Sequence, residues 1–137
     1  MPGLEIEGLC VTIGDRDVVR SVDLRVQPGT CVGLVGESGS GKSLTALASL
    51  GLLPRVARVK AGRILLGDDE TVTPDRDRTA RVRGSGIAMI FQSPRAALNP
   101  VLRVGHQVER VLRRRGEHDD LRRRCVGLPI GWFNPSR

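Results

Sequence analysis

Cys31-Val32-Gly33-Leu34-Val35, then Gly36-Glu37-Ser38-Gly39-Ser40-Gly41-Lys42-Ser43, then Leu44-Thr45-Ala46-Leu47-Ala48-Ser49-Leu50-Gly51-Leu52-Leu53: an apolar run, a glycine-rich loop and an apolar segment of helix formers follow one another without a gap. The first suits a strand buried on both faces, and the last a helix from Ser43 to Leu53 that Pro54 stops. The loop matches G-x-x-x-x-G-K-[ST] in the strand-then-helix setting that this pattern requires. This chain's own frequencies of Gly, Lys and Ser plus Thr give about 0.003 chance matches, so coincidence is a poor explanation.

The pattern has a physical reason. Polyphosphate oxygens need many donors converging from a wall without side chains; glycines let backbone N–H groups turn inward, and a helix N-terminus adds its positive dipole end. Gly36, Glu37, Ser38, Gly39, Ser40, Gly41, Lys42, Ser43 and Leu44 are therefore the candidate nucleotide-binding residues. Lys42 is expected to reach the β- and γ-phosphates of ATP, and the Ser43 hydroxyl to be one Mg²⁺ ligand. Of 22 basic residues only Lys42 and Lys60 are lysine. A compact ammonium thus stands where a phosphate-reaching point charge is wanted, in a chain that otherwise uses arginine.

Towards the amino terminus, Gly3 to Val35 reads as strands. Val22, Leu24 and Val26 alternate with Asp23, Arg25 and Gln27, and Pro28-Gly29 makes a turn. Downstream, residues 56–77 are more polar, with a short strand at Ile64-Leu65-Leu66 and a turn at Gly67-Asp68-Asp69. The acids of that turn read as hairpin residues rather than as the acidic end of a catalytic strand. Ile87-Ala88-Met89-Ile90-Phe91 is another buried-strand candidate, and Val104, Val108, Val111 and Leu112 fall at helical spacing. His106 and His118 lack partners at ligand or triad spacing and read as surface histidines.

Composition bounds the rest. The chain has 137 residues and a net charge of +7, with 39% apolar residues and 2% aromatic. That suits one globular domain with an aliphatic core, and excludes a single-stranded nucleic-acid platform of stacked rings, so no nucleic-acid partner is expected. No apolar run is long enough to span a membrane and no signal segment is readable, so a cytoplasmic chain is expected. Cys10, Cys31 and Cys125 are far apart and read as reduced, mostly buried thiols. Residues 1–50 carry four basic against six acidic side chains, so the positive excess lies in the second half. Its densest part, Arg103 to Arg124, reads either as a solvated helix face or as a surface for nucleic acid, anionic lipid headgroups or an acidic protein face.

With Gly36 to Ser43, Met89-Ile90-Phe91-Gln92-Ser93-Pro94, Ala97-Leu98-Asn99-Pro100-Val101 and Val104-Gly105-His106-Gln107, the chain resembles the ATP-binding subunits of ATP-binding cassette (ABC) transporters, in the oligopeptide, dipeptide and nickel importer subgroup. Gly41 to Leu47 running to Gly51-Leu52-Leu53-Pro54, and Arg83 to Gln92, support the resemblance, which covers about residues 4–112 and weakly Val126-Gly127-Leu128-Pro129. It implies an α/β, P-loop NTPase-type three-layer core with antiparallel amino-terminal strands, incomplete in this chain. Residues 1–112 would be the partial nucleotide-binding domain, from Walker A to Q-loop, and 113–137 a basic helix end and irregular tail. By the same resemblance Gln92 is the Q-loop glutamine, a contact for Mg²⁺ and the attacking water. The implied partners are a transporter membrane subunit and a second ATP-binding subunit, on the cytoplasmic face of the membrane.

Two departures stand out. The family places an aromatic residue of the first strand against adenine, and Ile13 occupies that position here, so weak nucleotide binding is expected. No Leu-Ser-Gly-Gly-Gln signature, Walker B strand or switch histidine follows Pro129; the chain looks like an amino-terminal fragment, not hydrolytic alone. Two other readings stay open: a non-catalytic module that docks on a membrane subunit or on lipid, and a gene remnant that does not fold.

Overall fold

The computed structural model describes residues 2–93 and 98–114. Two compact units divide the chain at Met1–Met89 and Ile90–Arg137. The first is built on a five-stranded antiparallel sheet in the order β2-β1-β3-β4-β5: β1 Leu4–Ile13, β2 Arg16–Val26, β3 Ala57–Leu66, β4 Asp69–Thr73 and β5 Arg76–Asp77. Each neighbour pair is antiparallel, as tight turns between consecutive strands allow.

The alternation in β2 does what its period implies. Val22, Leu24 and Val26 are half-buried, while Ser21, Asp23 and Arg25 between them face solvent. Strand β3 is longer than its apolar centre suggests, because it pairs with β1 from Leu66 back to Ala57 and turns Arg58, Lys60 and Arg63 outward. Charged residues turned to one side, with a register shift between Lys60 and Arg63, belong to a strand with one wet face. The expected turn at Gly67-Asp68 joins β3 to β4.

One face of the sheet is dry. Ile6, Leu9, Val11, Val19, Ile64 and Val72 form its core with Ala48 from α1, Lys42–Ser49. The opposite face is a layer of ion pairs: Arg63 to Glu7 at 2.6 Å, Lys60 to Asp17 at 3.1 Å and Arg25 to Glu5 at 3.9 Å. The hydrogen bond from Arg63 to the Glu7 carboxylate pushes the guanidinium pKa further up. Lys60 of β3 and Asp17 of β2 reach across β1, whose Thr12 stands opposite Asp17 and is buried.

Helix α1 corrects the expectation of a helix to Leu53. It ends at Ser49, because Gly51 takes a left-handed conformation (φ +61°): Leu52 N donates to Leu47 O at 2.9 Å and Gly51 N to Ala48 O at 3.0 Å. This is the glycine-terminated helix end that satisfies the last carbonyls, reached three residues before Pro54 can act. A short α2, Thr79–Val82, follows β5.

Two strand expectations fail among the described residues. Cys31 to Val35 forms no strand and pairs with nothing, and its residues are exposed, Val35 at 97%. Ile87 makes only an isolated parallel bridge to Arg83, and Ile90 is 92% exposed. An apolar run becomes a doubly buried strand only when neighbouring strands and two covering layers are present, and no described strand lies beside either run. Cys31 is for the same reason an exposed free thiol rather than a buried one; Cys10 is half-buried.

In the second unit, α3 spans Val104–Arg114, as its apolar spacing predicts. The Gln107 side chain clamps the preceding turn, accepting from Asn99 N and donating to Asn99 O and Leu102 O, each at 2.9 Å. Among the described residues no helix is long and apolar enough to cross a membrane. Pro94, Ala97, His118, Cys125 and most of the basic stretch to Arg124 lie outside the described residues; Arg103 and Arg110 within it are exposed.

Candidate functional site

The site begins where the chain leaves the sheet. Gly36 to Gly41 runs in the open, with every residue from Cys31 to Ser40 exposed, and turns at Ser38-Gly39 into α1. Ser40 N donates to Glu37 O at 3.3 Å and closes that turn.

Gly41 is the N-cap of α1, with φ +90° and no side-chain cap. The first bond of the helix runs from Thr45 N to Gly41 O at 2.9 Å, doubled by Thr45 Oγ1 at 3.0 Å. The N–H groups of Lys42, Ser43 and Leu44 therefore precede the first intrahelical bond. Unbonded donors at the positive end of a helix are what an anion meets at such a terminus.

Lys42 Nζ turns back over the loop. It donates to Gly36 O at 2.7 Å, Glu37 O at 2.6 Å and Ser40 Oγ at 3.0 Å. The ammonium thus draws the two ends of the loop together and fixes its curvature. Ser43 is exposed at the same helix end, and Leu44 is half-buried beneath it. The whole sequence-derived set from Gly36 to Leu44 is contiguous in space.

Gln92 is exposed and belongs to the second unit. Ile13 ends β1 and is 37% exposed. The acids Asp68, Asp69 and Glu70 sit in and after the β3–β4 turn, as their hairpin reading expects. Among the described residues no cluster of three His, Cys, Asp or Glu could hold a metal. A cleft of about 370 Å³ opens at the end of the sheet, lined by Thr12, Gly14, Asp15, Arg58, Val59, Lys60 and Pro74.

Three contributions escape sequence reasoning. Val18 and Val19 of β2 buttress the loop, since a Cβ on Gly41 would lie 3.0 Å from Val19 Cγ2 and 3.1 Å from Val18 O. Ser40 lends its hydroxyl to Lys42. Asp77 and Thr79 form a small network behind α1: Asp77 Oδ1 accepts from Thr79 N at 2.8 Å and Thr79 Oγ1 at 2.5 Å, and Arg83 donates to the same hydroxyl at 3.1 Å. Only the Asp-x-Thr spacing of the last, a turn signature, carries a sequence signal.

Comparison with known proteins gives a consistent result. Residues 19–129 match the family model described as ABC transporter. Relatives include the oligopeptide transport ATP-binding protein OppD of Mycobacterium tuberculosis, 41% identical over 99% of this chain and 24% of its own length. A putative peptide import ATP-binding protein of Brucella abortus is 43% identical over 82% of this chain and 36% of its own. The probable D,D-dipeptide transport ATP-binding protein DdpD of Escherichia coli is 39% identical over 90% and 38%. The chain thus spans about a quarter to two fifths of these relatives' length. Among solved structures, a bacterial Atm1-family ABC exporter with ATP bound matches with a TM-score of 0.50 at 18% identity, covering 97% of this chain and 23% of that one, a likeness of fold alone.

Proposed function

Because this chain belongs to the ABC transporter family, we propose that residues 1–112 form the Walker A to Q-loop portion of the ATP-binding subunit of a peptide importer. The observation that carries this reading is Lys42: its ammonium shapes the loop through Gly36, Glu37 and Ser40 at the mouth of a helix whose first N–H groups have no intrahelical partner. The relatives named for oligopeptide, peptide and dipeptide transport support the substrate class.

The donor set fits a polyphosphate. The backbone N–H groups of Lys42, Ser43 and Leu44 at the start of α1 and the Lys42 ammonium lie beside Gly39, where a Cβ would meet nothing within 4 Å. Gly36 to Leu44 would hold the β- and γ-phosphates, Ser43 would supply one Mg²⁺ ligand, and Ile13 would lie beside adenine. Mg²⁺ would supply neutralisation of charge on the phosphate oxygens. The chain's own part is to bind and orient: Lys42 places a fixed positive charge, and the α1 terminus adds its dipole.

The partners of this reading are a transporter membrane subunit and a second ATP-binding subunit, on the cytoplasmic face of the membrane. Residues 1–137 alone turn over no ATP, since the described residues bring no carboxylate strand to the attacking water. Magnesium-dependent phosphate release above that of Lys42→Ala would contradict this.

Thermal unfolding with and without Mg-ATP tests the site, because a ligand that binds only the folded state raises its stability. The parent chain is expected to shift upward and Lys42→Ala to stay. A parent that does not shift, or a variant that shifts equally, overturns the reading.

A further inference from the structure

An ammonium has three N–H bonds, and Lys42 commits all three within its own loop. We propose that Ser40 sets the phosphate affinity of the loop: its hydroxyl holds the third N–H of Lys42, and a phosphate oxygen must take that N–H from it. The inference rests on the phosphate-site reading given above.

The three acceptors are unequal. Gly36 O at 2.7 Å and Glu37 O at 2.6 Å are backbone carbonyls, fixed by the turn that Ser40 N closes onto Glu37 O. Neither leaves without unmaking the loop. Ser40 Oγ is the longest contact, at 3.0 Å, and can leave by rotation about one side-chain torsion. Its place is also set by shape: a Cβ on Gly36 would lie 3.0 Å from Ser40 Oγ and 3.8 Å from Lys42 Nζ, so the hydroxyl is folded over bare glycine backbone towards the ammonium.

A competing internal acceptor acts as a population tax. If the loop is free for phosphate only while the hydroxyl is turned away, the apparent dissociation constant is the intrinsic one divided by that fraction. Removing the hydroxyl removes the tax and leaves the backbone donors and both carbonyl contacts in place. The gain must depend on Lys42 and must be felt only by ligands that reach the ammonium.

Calorimetric titration of the 137-residue chain with Mg-ATP, Mg-pyrophosphate and AMP tests this in the parent, Ser40→Ala, Ser40→Thr, Lys42→Ala and the Ser40→Ala/Lys42→Ala double variant. Ser40→Ala is expected to bind Mg-ATP and pyrophosphate about three- to tenfold more tightly, with AMP unchanged and Ser40→Thr like the parent. The gain should vanish in the Lys42→Ala background, and the ligand-free unfolding midpoint should not move. Equal or weaker binding by Ser40→Ala beside a working parent overturns the role of Ser40 alone; weaker binding would mean that the hydroxyl donates to phosphate instead. A gain that persists without Lys42 overturns it equally. A parent without Lys42-dependent binding removes the phosphate-site reading, and this inference with it.

Discussion

Gly41 rests against Val19: a Cβ added to the glycine would come within 3.0 Å of Val19 Cγ2. The start of α1 is thus keyed to β2. Gly41→Ala meets this contact and must also hold φ near +90°. The left-handed conformation and the crowding together are expected to cost about 2 to 3 kcal/mol. Urea unfolding should show the midpoint fall, and the Mg-ATP shift should be lost with it. An alanine variant as stable as the parent would mean that the loop and β2 are not coupled.

Thr12 shows the opposite economy. Its hydroxyl is buried and has no hydrogen-bond partner. A buried donor left unpaired costs about 1 to 3 kcal/mol, and valine keeps the shape without the donor. Thr12→Val is expected to stabilise the chain by about 1 kcal/mol, read as a higher urea midpoint at unchanged slope. A lower midpoint would show the hydroxyl to be paired in solution.

The places where sequence reading worked share a cause, and so do those where it did not. Local chemistry suffices for the Gly36 to Ser43 loop, the alternation of Val22, Leu24 and Val26 and the Gly67-Asp68 turn, and each is where it was expected. Strands 31–35 and 87–91 depend on neighbours, and apolar content alone does not supply them. Strand β3 was underread for the reverse reason: Arg58, Lys60 and Arg63 look like loop residues until the ion-paired face of the sheet is known. The Ser40–Lys42 bond left no trace, because a serine in a glycine-rich loop is spacer and ligand alike to a pattern.

The early end of α1 gives a further test. A Cβ on Gly51 would overlap Thr79 Oγ1 and the Asp77 carboxylate, and the residue sits at φ +61°. Gly51→Ala should therefore strain the helix end and separate it from the Asp77–Thr79–Arg83 network, at about 2 to 4 kcal/mol. Thr79→Val, which removes the shared hydroxyl and keeps the glycine, should cost about 1 to 3 kcal/mol. If the two costs simply add in the double variant, the sites are independent and the packing seen here does not couple them.

Ile13 offers the sharpest test of nucleotide selectivity. It ends β1 with a partly exposed aliphatic side chain, a surface that can press on a purine but cannot stack on it as an aromatic ring does. Stacking of a base on an aromatic side chain is worth about 1 to 3 kcal/mol. Ile13→Tyr is therefore expected to tighten Mg-ATP by about five- to 150-fold, while Mg-pyrophosphate, which has no base, stays unchanged. The two titrations on one variant separate the base from the phosphates. Equal ATP affinity in the two chains would remove Ile13 from the adenine side; a parallel gain with pyrophosphate would trace the change to the loop instead.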